Sequence, residues 1–347
     1  VVDPKIEKNG FFDFCGAGVA LKLVEALSSR EEITQYFDIC ALATLADLVP
    51  LQGENRIIAY YGLKQIETNP RIGIKYLLGQ DKISSYEVMF KLAPRINSAG
   101  RLDSAMKVVD LFISKDPVLL RMLVEELEYD NSRRQAICEQ VVSEAREMLK
   151  GIDFNSTRIL ILEKDDWESG VIGIAASRLV DEFKRPTVLL ARKEDGLLRG
   201  SSRSIKSVNI FELLTRLQDC FEAYGGHAQA AGITMRMENL EEFKQRANDI
   251  LLAEHKDEEF ISKFTFDTDL DLNSNLLEFA KEIELLEPTG FANPKPSFRI
   301  IGDRLKFERI GFSNHIKFHK QDFEIIGFNY LNKLGSLSGV VELEVSL

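Results

Sequence analysis

Arg199-Gly-Ser-Ser-Arg-Ser-Ile-Lys206, followed by Tyr224-Gly-Gly-His-Ala-Gln-Ala-Ala-Gly232, is the stretch on which the reading of the fold turns. The first piece carries three cations (Arg199, Arg203, Lys206), three hydroxyls (Ser201, Ser202, Ser204) and no acid. The second places His227 directly after Gly225 and Gly226. Glycine lets a backbone approach a ligand closely and present its N–H groups. With arginine and hydroxyls beside them, such groups make a receptor for a phosphate or a carboxylate. A strand, a surface turn and a core histidine would give the same letters, so the neighbouring sequence has to decide.

That neighbourhood alternates strand and helix. Arg158-Ile-Leu-Ile-Leu-Glu163 is a short β-run, Gly170–Val180 an apolar helix opened by glycine, and Pro186–Ala191 a second strand. Residues 199–203 extend the sheet, 209–220 read as a helix, 226–236 as a returning strand and 238–254 as a charged amphipathic helix. This pattern defines an α/β domain. From about residue 262 the apolar period becomes two. Six short runs, beginning near Phe264, Phe298, Arg304, His315, Phe323 and Val341, surround one helix at 275–286. Such a pattern fits a small barrel of the OB type. Residues 295–320 hold seven basic residues against Asp303 and Glu308, with Phe298, Phe307, Phe312 and Phe318 interleaved. Alternate phenylalanines must fill the barrel, so at most about half are free to stack on bases. His315 and His319 read as surface strand positions, and His255 as a solvated helix residue.

The first part of the chain is helical in pattern. Asp13–Leu27 is a Gly-rich turn opening an apolar helix, and residues 36–46 are a nearly unbroken apolar segment ending at Asp47-Leu-Val-Pro50. Asp47 reads either as a carboxylate needing a partner or a metal, or as a surface helix cap. Pro94-Arg-Ile-Asn-Ser-Ala-Gly-Arg101 sets Arg95 and Arg101 around Asn97, either to reach one phosphodiester backbone or as a solvated turn. Residues 117–150 form a long helix, polar over much of its surface, which suits a bridge between domains.

Composition bounds the class. The chain has 347 residues, 45% of them hydrophobic and 29% charged, enough for two or three globular domains. No apolar run approaches the ~20 residues that span a bilayer, and no secretory pattern opens the chain. Four scattered cysteines (Cys15, Cys40, Cys138, Cys220) give neither a zinc motif nor a disulfide framework, and reduced thiols in the cytoplasm are expected. The net charge of −11 does not exclude a nucleic acid, because binding depends on local patches.

With these residues in place, the chain resembles the RecJ family of single-strand-specific DNA exonucleases, in the DHH phosphoesterase superfamily. The resemblance runs over essentially all of the chain. It is carried by Cys15-Gly-Ala-Gly-Val-Ala, Ala43-Thr-Leu-Ala-Asp47-Leu-Val-Pro-Leu, Pro94–Arg101, Gly170-Val-Ile-Gly-Ile-Ala-Ala-Ser-Arg, Gly200-Ser-Ser-Arg-Ser, Gly225-Gly-His-Ala-Gln-Ala-Ala-Gly and Leu286-Glu-Pro-Thr-Gly-Phe-Ala-Asn-Pro-Lys-Pro. It implies a multidomain α/β protein: the C-terminal part of a DHH catalytic domain (1–115), an interdomain connector helix (116–150), a DHHA1 domain (151–258) and an OB-fold-like β-barrel (259–347). It implies 5′→3′ hydrolysis of single-stranded DNA with Mn²⁺ or Mg²⁺ at a two-metal site, a cytoplasmic location, and single-strand-binding protein or a helicase as further partners. Asp47 matches a metal-binding aspartate. Arg95, Asn97 and Arg101 match the motif that holds the DNA backbone. Ser202, Arg203, Gly225, Gly226 and His227 match the elements that contact substrate phosphates.

The departures also matter. The Asp-His-His triplet is absent, and all four histidines lie beyond residue 220. Trp167-Glu168 stands where the family often has Trp-His. The chain is therefore expected to be a fragment lacking the N-terminal motifs, to bind single-stranded DNA weakly and to cleave little by itself. A DHH–DHHA1 oligonucleotide or cyclic-dinucleotide phosphodiesterase, or a non-catalytic single-strand-binding relative, are the other readings.

Overall fold

The computed structural model describes the whole chain except residues 1, 5, 7–9, 80–82, 103, 194, 262–264, 272–273, 304–305, 312–313, 321–322, 329–339 and 346–347. The first part is helical: α1 (Gly16–Leu27), α2 (Arg30–Thr34), α3 (Phe37–Ala46), α4 (Gly53–Thr68), α5 (Ile72–Leu78), α6 (Ser85–Glu87), α7 (Ala93–Leu102), α8 (Met106–Ile113) and α9 (Pro117–Met148). The apolar segment at 36–46 is thus a helix. Pro94–Arg101 is also helical, entered through a π-helical turn at Val88–Leu92, so the reading of it as a turn is corrected. Next come β1 (Leu160–Lys164), α10 (Ser169–Phe183), β2 (Thr187–Arg192), β3 (Leu197–Arg203), α11 (Ile210–Arg216), β4 (Ala223–His227), β5 (Ala230–Arg236) and α12 (Leu240–Glu254). The last part holds β6 (Thr268–Asp269), α13 (Leu276–Glu284), β7 (Phe298–Asp303), β8 (Lys306–Arg309), β9 (Ile316–Lys320), β10 (Phe323–Gly327) and β11 (Val340–Val345). Its described strands form two three-stranded sheets, β10-β9-β8 and β11-β7-β6.

Contacts divide the chain into two compact units. One comprises residues 1–70, 80–90 and 263–347; the other comprises 71–79 and 91–262. These units cut across the linear segments drawn from sequence.

In the first unit, α3 and α4 cross at Gly62. A Cβ there would lie 2.2 Å from the Phe37 carbonyl oxygen and 2.4 Å from Ala41 Cβ, so only glycine permits this approach. Arg56 on α4 ties down residues 285–288. Its Nη1 donates to the carbonyls of Leu286 (2.8 Å) and Pro288 (3.4 Å), and its Nη2 to those of Leu285 (3.4 Å) and Glu287 (3.2 Å). The Leu51 N–H donates to the Phe291 carbonyl at 2.8 Å, and Ser85 Oγ donates to Glu287 Oε2 at 2.9 Å. Charge-assisted donors on consecutive carbonyls leave that stretch little freedom.

The second unit is built on a five-stranded sheet in the order β1-β2-β3-β5-β4. β1 and β2 pair in parallel; the remaining pairs are antiparallel. Alternation along each strand gives the sheet two faces. Ile161, Val188, Leu190, Leu198, Ala231, Ile233 and Met235 face α11 and α12, against Leu213, Leu214, Phe243 and Leu251. Leu160, Leu162, Leu189 and Ala191 face α9 and α10, against Val141, Val142, Val171, Ile172, Ala175 and Ala176. The 32-residue α9 starts with Pro117 behind Asp116, whose Oδ1 accepts the Val118 N–H at 2.9 Å.

Replacing Gly62 by alanine is expected to destabilise the first unit by about 1–3 kcal/mol, the cost of overpacking a closed helix crossing. Urea unfolding checks this, and an unchanged midpoint would refute the packing account.

Candidate phosphate-binding site

The site follows from strand register. Arg203 pairs with Ala230, which pairs with His227; Ser201 pairs with Gly232, which pairs with Gly225. Directly opposed residues share a face of the sheet. Two rows therefore run across β3, β5 and β4 on one face: Arg203–Ala230–His227 and Ser201–Gly232–Gly225. The face is the one packed by α10, because Ser201 also pairs with Leu189 and Arg203 with Thr187 on β2. Helix α10 shields the β3 end, while Gly225, Gly226, His227, Ala228 and Gly232 remain exposed. The result is a shallow cradle: cation and hydroxyl at one edge, imidazole at the other, and a floor with no side chain larger than a methyl.

The local chemistry sets each group. Arg203 Nη1 donates to Ser201 Oγ and to the Ser202 carbonyl, both at 2.8 Å, which fixes the guanidinium on its own strand. The His227 Nδ1 accepts the Gln229 N–H at 3.3 Å, so Nε2 carries the ring proton of the neutral imidazole. A Cβ at Gly226 would lie 2.3 Å from the Ala230 carbonyl oxygen, so the β4–β5 approach requires glycine.

Two expectations are corrected. The returning strand read over 226–236 is part of a hairpin: β4 ends at His227, the reversal comes at Ala228-Gln229, and β5 runs from Ala230 to Arg236. Ser202 does not face a phosphate. It is 0% exposed on the opposite face, and its Oγ donates to the Ala231 carbonyl at 2.9 Å. Ser201 occupies the position expected of Ser202. Period-two alternation from Arg203 carries the signal that identifies it, and Gly232 belongs to the same row.

The other candidates are placed as follows. Asp47 is exposed and closes α3 as its C-cap. Arg95 is half-buried and largely structural: Nη1 donates to the Leu77 carbonyl at 2.9 Å, capping α5, and Nη2 lies 3.5 Å from Glu128. Asn97 is exposed on α7. The backbone of Arg101 ends the same helix, and its side chain lies outside the described residues. Trp167 is buried, its Nε1 donating to Glu144 Oε2 at 2.8 Å. Glu168 opens α10 as its N-cap and pairs with Arg133 at 3.7 Å. Of the first stretch's other cations, Arg199 pairs with Asp195 at 2.5 Å and Lys206 is exposed.

In the last part of the chain, Phe298 and Phe318 are core residues and unavailable for stacking. Arg299 is held by Asp269 at 2.6 and 3.0 Å and lies 4.4 Å over the Phe266 ring. His315 packs against Phe328 with centroids 5.4 Å apart. Arg304 and Phe312, and the side chains of Lys306, Phe307, His319 and Lys320, lie outside the described residues. His255 is not a solvated helix residue; its Nδ1 meets Glu259 Oε2 at 2.9 Å, and that contact lowers the Glu259 pKa. Among the described residues, Asp219, Cys220 and Glu242 have metal-ligand proximity. Arg246 already bridges the two carboxylates, at 2.6 and 2.8 Å.

The sheet and its cradle lie in residues 156–253, which match the DHHA1 domain family, and residues 266–345 match the RecJ OB domain family. The chain belongs to the RecJ family. It is 35% identical over 331 residues to the single-stranded-DNA-specific exonuclease RecJ of Bacillus subtilis, covering 92% of this chain and 42% of that protein. The corresponding protein of Thermus thermophilus is 32% identical over 343 residues, covering 95% and 48%. The crystal structure of Thermus thermophilus RecJ in complex with Mn²⁺ superposes with a TM-score of 0.85 at 30% identity, over 99% of this chain and 51% of that one. The Mg²⁺ complex gives 0.87 at 31%, over 100% and 55%. The chain spans about half the length of the curated relatives it matches.

Ser201→Ala is expected to weaken binding of inorganic phosphate about tenfold, the worth of one hydrogen bond to a charged group, without loss of stability. Ser202→Ala should do the reverse, costing about 1 kcal/mol of stability and leaving phosphate affinity unchanged. Titration and thermal melts of both variants separate the two faces. Glu144 supplies a pH test. Hydrogen bonds from Lys164, Gln140 and Trp167 hold its carboxyl down at about 2. A depressed carboxylate stabilises the fold above its ordinary pKa of ~4.3, and that contribution is lost as pH falls through about 2. Wild type should therefore exceed Glu144→Gln in stability at pH 7, and the gap should close on acidification. Emission from Trp167, the single tryptophan, reports it directly.

Proposed function

We propose that this chain is the phosphate-gripping and strand-binding part of a metal-dependent 5′→3′ exonuclease acting on single-stranded DNA. The observation that carries the reading is the cradle of Ser201, Arg203, Gly225, Gly232 and His227, in a DHHA1 domain followed by a RecJ OB domain. Arg203 supplies charge, Ser201 a hydroxyl and His227 an Nε2–H donor. The bare floor lets a phosphate approach the sheet between them. Opposed positions two strands apart are separated by roughly 10 Å, enough for one phosphate group. His227 acts as a substrate ligand in this arrangement.

The relatives' structures contain Mn²⁺ and Mg²⁺. Asp47 suits either ion as one hard oxygen donor: it is exposed, and its backbone is anchored at the end of α3 by its N–H to the Ala43 carbonyl at 2.9 Å. Such ions, when bound, polarise a water and neutralise developing charge. Arg95, Asn97 and Arg101 belong to the same reading as a backbone-holding helix, with Arg95 contributing chiefly by bracing α7 against α5. The RecJ OB match at 266–345 favours the exonuclease over a phosphodiesterase without that domain. No described helix is long and apolar enough to cross a membrane. The proposal extends to a cytoplasmic location, with single-strand-binding protein or a helicase as further partners.

Fluorescence anisotropy with a 5′-phosphorylated and a 5′-hydroxyl oligothymidylate tests the reading. The phosphorylated strand should bind more tightly, and Arg203→Ala should remove most of that advantage, about 1.5–3 kcal/mol for a charged hydrogen-bonding group. Affinity should fall steeply with salt. Equal binding of the phosphorylated strand by wild type and variant would overturn the assignment.

A further inference from the structure

The cradle has a neighbour that carries no functional group at all. Gly173 lies in the second turn of α10 and is buried. A Cβ built on it would lie 2.8 Å from Arg203 Nη2, 2.9 Å from Ser201 Oγ and 3.4 Å from Arg203 Cζ. No real Cβ tolerates the first two distances.

Neither helix propensity nor backbone geometry accounts for glycine there. In a helix interior glycine is worse than alanine, because it loses more chain entropy on folding. The residue is helical, so no left-handed conformation demands it. Space is the remaining reason. The atoms that fill the space are the two functional atoms of β3, not core side chains. Both belong to side-chain ends, so a methyl at 173 need not move backbone; it moves the guanidinium and the hydroxyl.

We propose that Gly173 is a positioning residue for the phosphate cradle: its missing side chain is the slot in which Arg203 lies along α10 with its 2.8 Å hydrogen bond to Ser201. Held in the slot, Arg203 and Ser201 form a preset donor pair, and a bound phosphate does not have to order them. A methyl at position 173 swings the guanidinium towards solvent and breaks that pair.

The inference rests on the cradle binding phosphate, and the test separates the two. Wild type, Gly173→Ala, Arg203→Ala and the double variant are titrated with 5′-phosphorylated and 5′-hydroxyl oligothymidylate. Each is also followed by thermal melting. The expected result is that Gly173→Ala loses roughly tenfold in affinity for the phosphorylated strand, with its melting temperature unchanged or raised. The double variant should bind no worse than Arg203→Ala alone, because the glycine acts through the arginine. The Arg203 Nε–H resonance should shift in Gly173→Ala before any ligand is added. If Arg203→Ala weakens binding but Gly173→Ala does not, or if the two losses multiply in the double variant, the positioning role is wrong while the cradle stands. An unfolded Gly173→Ala chain also overturns it, since that result makes the residue part of the core. If Arg203→Ala changes nothing, the cradle falls and the role of Gly173 with it.

Discussion

The antiparallel register of β3, β5 and β4 is the constraint on which the rest of the second unit depends. It alternates Ser201 and Arg203 with Ser202, and Ala230 and Gly232 with Ala231 and Ile233. One set faces α10 and solvent; the other is core. A slip of a single residue would drive Arg203 into the apolar layer and expose Ile233 and Met235. The hydrophobic layer under α11 and α12 and the polar cradle on the other face are therefore one decision. Gly226 secures it, since the Ala230 carbonyl stands where any side chain would begin.

A second decision is made at the opposite edge, where α10 meets β3. A sheet face covered from end to end would have no site, and a bare one would leave Leu160, Leu162, Leu189 and Ala191 in water. Helices α9 and α10 cover these residues and stop at β3. The boundary falls on Arg203, whose guanidinium lies beside Gly173 of α10 and is held by Ser201 Oγ and the Ser202 carbonyl. Cradle and core thus share a wall.

The first unit shows a different economy. Residues 1–70 and 263–347 are far apart in sequence but form one compact body. Arg56 holds it together through four carbonyls of the Leu285–Pro288 stretch. The apolar period changes from 3.6 to 2 near residue 262, close to the boundary at 259 that the family resemblance implies. Period reports the type of element, not which element it touches, so the joining of the two segments has no signature in either one.

Much of this protein is legible from residue order. Periodicity yields the helices at 117–150 and 238–254, β1, β2, β3 and β5 of the central sheet and the six short runs after 262, but reads across the β4–β5 reversal. The motifs yield the family and the stretch that becomes the cradle. These are local properties, set by side-chain spacing and by backbone propensity. Contact geometry settles what spacing leaves open. It makes Ser201 the cradle hydroxyl and Ser202 a core one, turns Arg95 into a helix cap, sets Asp47 at an exposed helix end, and divides the strand read over 226–236 at Ala228-Gln229. It also gives meaning to Gly173, whose role depends on atoms 28 and 30 residues away in the chain. A sequence specifies which groups exist and how they alternate. Which face is covered, and by what, depends on long-range packing, and that is where a hydroxyl becomes a ligand or a structural bond.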